Sequence, residues 1–297
     1  MGGLNKAERD RFQTAVYTAL ALIAFAANSL LCRLALGEAA IDAASFTTIR
    51  LVSGGLVLLL LAAATRKTRT DHHRDNWASA FMLFLYAVTF SFAYISLNTG
   101  TGALILFGSV QATMVIFAVC KGERLRLWGR LGLFIGLAGL TYLMFPGLEA
   151  PSSSGAALMA VAGISWGIYS LRGRGTVSPT AVTADNFLRS APFVVLTSLI
   201  FFQNLHITFT GAIYATISGG LTSAIGYVIW YAALRDLSST GAALVQLIVP
   251  VLAALGGVVL LSEPLTMRLL LSSFMIIGGV ALALTHAEHS VKVGSLK

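Results

Sequence analysis

Residues 241–262 read GAALVQLIVPVLAALGGVVLLS, a run without a charged side chain and with one buried-type amide, Gln246. A helix of this length crosses the hydrocarbon core of a bilayer, about 30 Å thick. Working outward, Trp77–Leu97 and Gly102–Val119 are also free of charge. The chain is 57% hydrophobic and 11% charged, against about 25% charged in a soluble domain. Too few charges remain to cover a water-facing surface, so the sequence predicts a polytopic integral membrane protein.

Ten spans fit: Phe12–Ala35, Ala43–Ala64, Asn76–Leu97, Thr101–Cys120, Leu127–Phe145, Ser154–Leu171, Pro179–Phe202, Thr210–Leu234, Thr240–Leu261 and Met267–His286. The connections are short, and Thr65–Asp75 is the only substantial loop. The uncharged run Thr14–Cys32 exceeds the core of a cleaved signal and reads as a first span. Cys32 and Cys120 fall near opposite membrane faces and read as buried thiols.

The net charge of +8 is a topology signal rather than a nucleic-acid footprint, because the basic residues sit in loops between apolar runs. With the N-terminus in the cytoplasm, sixteen of the 20 basic residues fall inside, Arg268 falls outside, and Arg33, Arg50 and Arg189 lie within spans. Basic loops are retained on the cytoplasmic side. Both termini are therefore expected in the cytoplasm, with the protein in a bacterial cytoplasmic (inner) membrane.

Segments 140 positions apart match: Ala103-Leu104 with Ala243-Leu244, Glu123 with Glu263, Leu125 with Leu265, Phe134 with Phe274, and Gly139 with Gly279. Arg50 matches Arg189 at an offset one shorter. Five spans per half is an odd number, so the halves 1–150 and 151–297 insert in opposite senses. The fold class expected is an all-α membrane protein, ten transmembrane helices as two inverted five-helix repeats in one integrated membrane domain. Such repeats exchange inward-open and outward-open shapes around a central site.

At these residues the chain resembles the drug/metabolite transporter superfamily, in its EamA-type branch. The marks are Leu30–Leu36, Phe46–Leu51 with Arg50, Thr99–Leu104, Gly122-Glu123-Arg124-Leu125, Leu261-Ser262-Glu263-Pro264-Leu265, and Ile164-Ser165-Trp166-Gly167. Within that branch it looks most like the YddG-type exporters of aromatic and other apolar amino acids. One departure is Phe25-Ala26-Ala27-Asn28, where many relatives carry Trp-Gly before the Asn. The resemblance implies export of small metabolites by alternating access, with no cofactor.

Polar residues within spans face a protein interior or a watery cavity. Asn28, Gln111 and Gln246 are candidate substrate ligands, with interhelical hydrogen bonding as the alternative. Trp166 and Tyr169 share a face of helix 6, and Tyr86, Phe90 and Tyr94 share a face of helix 3. Aromatic walls suit an apolar substrate, although such stripes also arise from packing. Gly163 and Gly167 flank Trp166 and are expected to leave room around it. Trp77, Trp128 and Trp230 read as interface anchors or packing.

Arg50 and Arg189 are gating or structural charges. Asp185 is placed to pair with Arg189, and Glu38 or Asp42 to reach Arg50, with snorkelling as a further option. Pro250 reads as a mid-span hinge. Gly132, Gly136, Gly139, Gly278 and Gly279 form close-packing seams, one possibility being a dimer contact, with a monomer equally allowed. No acidic residue falls at the centre of a span, which favours a facilitator, or coupling through an edge carboxylate. No phosphate loop, metal-ligand spacing or nucleophile triad is found, and His72-His73 lies in a loop.

Three functions compete. The first is an exporter of amino acids or similar metabolites, with the lipid bilayer as its other partner. The second is a broad exporter of lipophilic drugs or nucleotide-linked cargo, which wants a central carboxylate or a cluster of cations. The third is a membrane scaffold or lipid-modifying enzyme, which wants catalytic clusters at one face.

Overall fold

The computed structural model describes residues 6–64, 77–120, 127–145, 150–173, 176, 178–237 and 245–285. These form ten helical spans: α1 (Lys6–Gly37), α2 (Ala43–Ala64), α3 (Trp77–Ala93), α4 (Thr99–Cys120), α5 (Leu127–Met144), α6 (Ser153–Gly173), α7 (Pro179–Ile200), α8 (Phe209–Ala233), α9 (Ile248–Leu261) and α10 (Met267–Thr285). No strand occurs among the described residues beyond an isolated bridge, Ile41 to Ile207. The protein is a helical membrane protein.

α1, α2, α4, α6 and α8 are long and apolar enough to span by themselves, and α3, α5, α9 and α10 are shorter apolar helices. α7 has 22 residues but carries Asp185, Asn186 and Arg189. The terminal face holds the start of α1 and the end of α10; the far face holds the α1–α2 and α9–α10 turns. Far-face helix starts are capped by local side chains. Asp42 accepts from the Ser45 amide at 2.9 Å, Ser152 from Gly155 at 3.3 Å, Thr208 from Gly211 at 3.1 Å and Thr266 from Leu269 at 3.1 Å. Each cap satisfies a backbone donor that has no partner within its helix.

The main helix contacts map onto one another when α1–α5 are exchanged with α6–α10. α3 packs on α6 as α8 packs on α1, α4 on α6 as α9 on α1, and α3 on α7 as α8 on α2. α2 with α7, α4 with α9 and α5 with α10 pair across the axis with their own counterparts. These are the contacts of two inverted repeats around a pseudo-two-fold axis in the membrane plane.

The glycine seam lies at this axis rather than at a dimer contact. A Cβ on Gly279 would come 2.6 Å from the Gly132 carbonyl oxygen, and one on Gly139 would come 2.6 Å from the Met275 Cβ. The seam that sequence allowed for a second copy is thus consumed inside the chain, holding α5 against α10. Gly278, on the other side of α10, has open space around it.

The two neighbours therefore separate packing from helix propensity. Gly279→Val should destabilise the protein by about 1–3 kcal/mol through overpacking, lowering the thermal midpoint in detergent by about 2–4 °C per kcal/mol. Gly278→Val should leave it unchanged. Equal effects at both positions would contradict the seam.

Candidate substrate site

Arg50, seven residues into α2 from the far face, is 1% exposed. Its Nε donates to Ser223 at 3.0 Å, and its Nη2 donates to Tyr86 at 3.0 Å and more weakly to Tyr227 at 3.4 Å. The guanidinium carbon lies 5.2 Å and 5.1 Å from the ring centres of Tyr86 and Phe90. Nη1 has no hydrogen-bond partner among the described residues. The expected pairing with Glu38 or Asp42 does not form. Asp42 instead caps α2 and accepts from the His206 amide at 3.0 Å. Nor does Arg50 snorkel, since its whole side chain is enclosed. A buried charge without a counterion is costly by several kcal/mol; hydroxyls and ring faces offset only part of that.

Beside Arg50 the rings of Phe25, Tyr86, Trp166 and Tyr227 close on one another. Trp166 lies 5.0 Å from Tyr86, 4.8 Å from Tyr227 and 5.9 Å from Phe25 between ring centres. Phe25 and Trp166 stand on the repeat-related α1 and α6, and Tyr86 and Tyr227 on α3 and α8. Both pairs are separated by 141 positions, so each half contributes matching rings to one box. Asn28, Ser29, Phe90, Leu106 and Phe107 complete the lining, and the cavity between them is about 10 Å³, room for a single water. Gly163 and Gly167 do not provide space beside Trp166. They bring α6 onto α4, where a Cβ would meet Ser109 at 2.6 Å and Thr113 at 3.1 Å respectively.

Asn28 connects the box to α8. Its Oδ1 accepts from Ser218 at 2.7 Å and Thr222 at 3.1 Å, and its Nδ2 faces the Tyr86 hydroxyl at 3.4 Å. Ser218–Ile225 is a π-helical stretch within α8, a local widening that often marks functional sites. Ser218, Thr222, Ser223 and Tyr227 thus present a hydroxyl stripe to Asn28 and Arg50. Sequence reasoning missed this stripe. Its signal was the four-residue spacing of Ser218 and Thr222, and of Ser223 and Tyr227.

The other candidates disperse. Tyr169 adjoins Trp166 at 5.6 Å but turns toward Asn186 on α7. Gln111 and Gln246 are buried, but the lining of the aromatic box includes neither. Arg189 pairs with Asp185 at 2.8 Å on a partly exposed surface and lies 5.7 Å from the Trp77 ring centre, an interface arrangement. Trp230 is buried against Phe25 at 5.7 Å. Pro250 occupies the first turn of α9, one turn beyond a break in the helix at Leu247. Its missing N–H costs little there.

The far face is shut by a second cluster. Glu263 accepts from the Thr99 amide at 2.9 and 2.8 Å and from Arg33 at 3.3 Å, while Arg33 also donates to the Tyr94 carbonyl at 3.2 Å. Tyr94 is buried, packing on Phe90 at 4.8 Å. The α1–α2 loop pairs with the α7–α8 loop through Asp42 to His206 at 2.8 Å and Thr208 to Ala40 at 3.0 Å. No group of three or more metal-ligating side chains occurs among the described residues.

Inverted halves that meet on a buried polar and aromatic box, shut toward one face, are the architecture of a membrane transporter. The chain carries an EamA-like transporter family domain, matched over residues 153–285. It is 48% identical over 272 residues to an uncharacterized protein of Pseudomonas aeruginosa, covering 92% of this chain and 94% of that one. An uncharacterized transporter of Bacillus subtilis is 21% identical over 79% of this chain and 85% of its own. One of Archaeoglobus fulgidus is 27% identical over 72% and 78%. A solved crystal structure shares the fold with a TM-score of 0.65 at 22% identity, covering 93% of this chain and 99% of that one.

The far-face cluster should govern access to the interior. Cys32, fully buried one residue before Arg33, is the reporter. In a Cys120→Ser background it should resist a membrane-impermeant maleimide applied from the far face. Glu263→Ala should raise its reaction rate by about tenfold, equivalent to losing about 1.4 kcal/mol of closure. An unchanged rate would leave closure to the loop pairing alone.

Proposed function

We propose that the protein exports neutral, apolar and aromatic amino acids by alternating access, with Arg50 holding the carboxylate and Trp166 facing the side chain. The observation that carries this reading is Arg50 itself: a buried cation with an unpartnered Nη1, in no ion pair among the described residues. Arg50 lies against the Tyr86 and Phe90 rings rather than in the lining itself, so an anionic group that parts those rings meets a donor already desolvated and held by Ser223 and Tyr86, and charge-assisted hydrogen bonds of this kind are the strong ones. Ser29 offers a neutral hydroxyl acceptor to the amino group. The rings of Phe25, Trp166 and Tyr227 suit an apolar side chain. A lipophilic cation would be repelled by Arg50, which disfavours the broad drug-export reading.

The moving units in this reading are the halves 1–150 and 151–297. The far face is the outside and both termini are cytoplasmic, in a bacterial inner membrane. Net movement needs no ion gradient, because the carboxylates Glu38, Asp42, Asp185, Asp236 and Glu263 all lie outside the lining of the box. Cysteines placed at Ser153 and Thr70 check the orientation: position 153 should label from outside and position 70 only from inside.

Uptake of a panel of labelled amino acids into proteoliposomes tests the site. Arg50→Gln should weaken all of them by about 10- to 100-fold, matching about 1.5–3 kcal/mol for a lost bond to a charged group. Trp166→Ala should weaken phenylalanine and leucine by about tenfold or more while sparing alanine. Uniform loss at Trp166 would assign it to folding, and full activity of Arg50→Gln would remove the carboxylate anchor. Collapse of uptake on removing a proton gradient, with the substrate gradient held constant, would contradict the facilitator.

A further inference from the structure

We propose that the terminal-face end of α3, α6, α7 and α8 forms a second site, which takes the main-chain ammonium and carboxylate of an amino acid on its way to Arg50. The inference rests on the amino-acid reading above and deepens it. A separate pocket is lined there by Ser79, Tyr169, Arg172, Thr183, Asn186 and Tyr231, with smaller groups between them. Its inner wall is shared with the central box, because the Tyr169 ring packs on Trp166 at 5.6 Å.

Two features make this a prepared site rather than a gap. Asn186 is 3% exposed. Its Nδ2 is directed at the Tyr169 hydroxyl at 3.4 Å, and its Oδ1 has no partner among the described residues. A buried acceptor left unsatisfied costs about 1–3 kcal/mol, a cost that a donor arriving with the ligand removes. At the mouth stands Arg172, whose Nε donates to Ser79 at 2.9 Å. That bond fixes the guanidinium plane and leaves its outer edge for a carboxylate.

The chemistry is divided along the path. Asn186 lies seven residues into α7 from the terminal face, about 10 Å deep at 1.5 Å per residue. It shares the pocket with the hydroxyl-bearing Tyr169, Thr183 and Tyr231, neutral acceptors suited to an ammonium. Arg172, in the last turn of α6, takes the opposite charge. No aromatic box surrounds this pair, so the second site reads the zwitterionic main chain and leaves the side chain to Trp166.

Sidedness tests this. Uptake of leucine and alanine is measured in inside-out and right-side-out vesicles holding the full chain. Asn186→Leu should raise KM for both by about tenfold when substrate is presented at the terminal face, and leave KM at the far face unchanged. Asn186→Asp, which keeps the acceptor, should stay near wild type, and Arg172→Gln should behave like Asn186→Leu. An equal rise at both faces, no rise at either, or failure of Asn186→Asp together with Asn186→Leu would overturn the second site. If Arg50→Gln weakens uptake from both faces while Asn186→Leu leaves KM at the terminal face unchanged, the central reading stands and the second site falls. If the wild-type chain moves no amino acid from either face, both fall.

Discussion

The structure depends on a guanidinium placed where no carboxylate of the described residues meets it. Arg50 is enclosed in α2, bonded to the hydroxyls of Ser223 and Tyr86 and stacked between two ring faces. A surface arginine needs none of this, and a structural one would have been given an acid. Holding a charge in that state requires α8 to present its hydroxyl stripe through a π-helical stretch, and requires Asn28 to hold Ser218 and Thr222 in line. Much of the polar construction at the centre follows from that one buried charge.

The second constraint is the inverted repeat. Because α2 meets α7, α4 meets α9 and α5 meets α10, the axis passes through contacts between equivalent helices, and these must be close. Glycine supplies the closeness: Gly279 lies against Gly132 and Gly136, a Cβ on Gly100 would come 2.8 Å from the Ala254 Cβ, and one on Gly54 would come 2.6 Å from the Phe187 ring. The same symmetry delivers Phe25 with Trp166 and Tyr86 with Tyr227 to one box. The asymmetry between Arg50, buried and unpaired, and its counterpart Arg189, paired with Asp185 near the interface, shows that only one half keeps a free cation at the centre.

The fold was legible in the sequence because lipid enforces it. Uncharged runs such as 241–262 have few alternatives to a spanning helix, and the match of Gly139 with Gly279 survives because close packing tolerates little else. The site was less legible. Tyr86, Phe90, Asn28 and Trp166 were visible as polar or aromatic residues deep in spans, and they converge. Arg50 was visible too, but its pairing was misassigned: helix geometry says which residues share a face, not which helix lies opposite. Ser223, Tyr227 and Asn186 were passed over for the same reason, since their partners lie across helix boundaries. The Phe25–Trp166 pairing at an offset of 141 was within reach. Gly163 and Gly167 misled, because a small residue beside a large one can serve packing on the next helix as readily as open space.

The far face is closed by Glu263, Arg33 and the paired loops, and the aromatic box is nearly shut. A carboxylate-bearing ligand would have to part the rings to reach Arg50. The central claim, that the buried cation waits for an anion, is tested most directly by equilibrium binding of phenylalanine and of its carboxamide to the wild-type protein in detergent. The account predicts that phenylalanine binds at least about tenfold more tightly, a difference of about 1.4 kcal/mol, because the carboxamide removes the negative charge and keeps the ring. Equal binding, or tighter binding of the carboxamide, would contradict it.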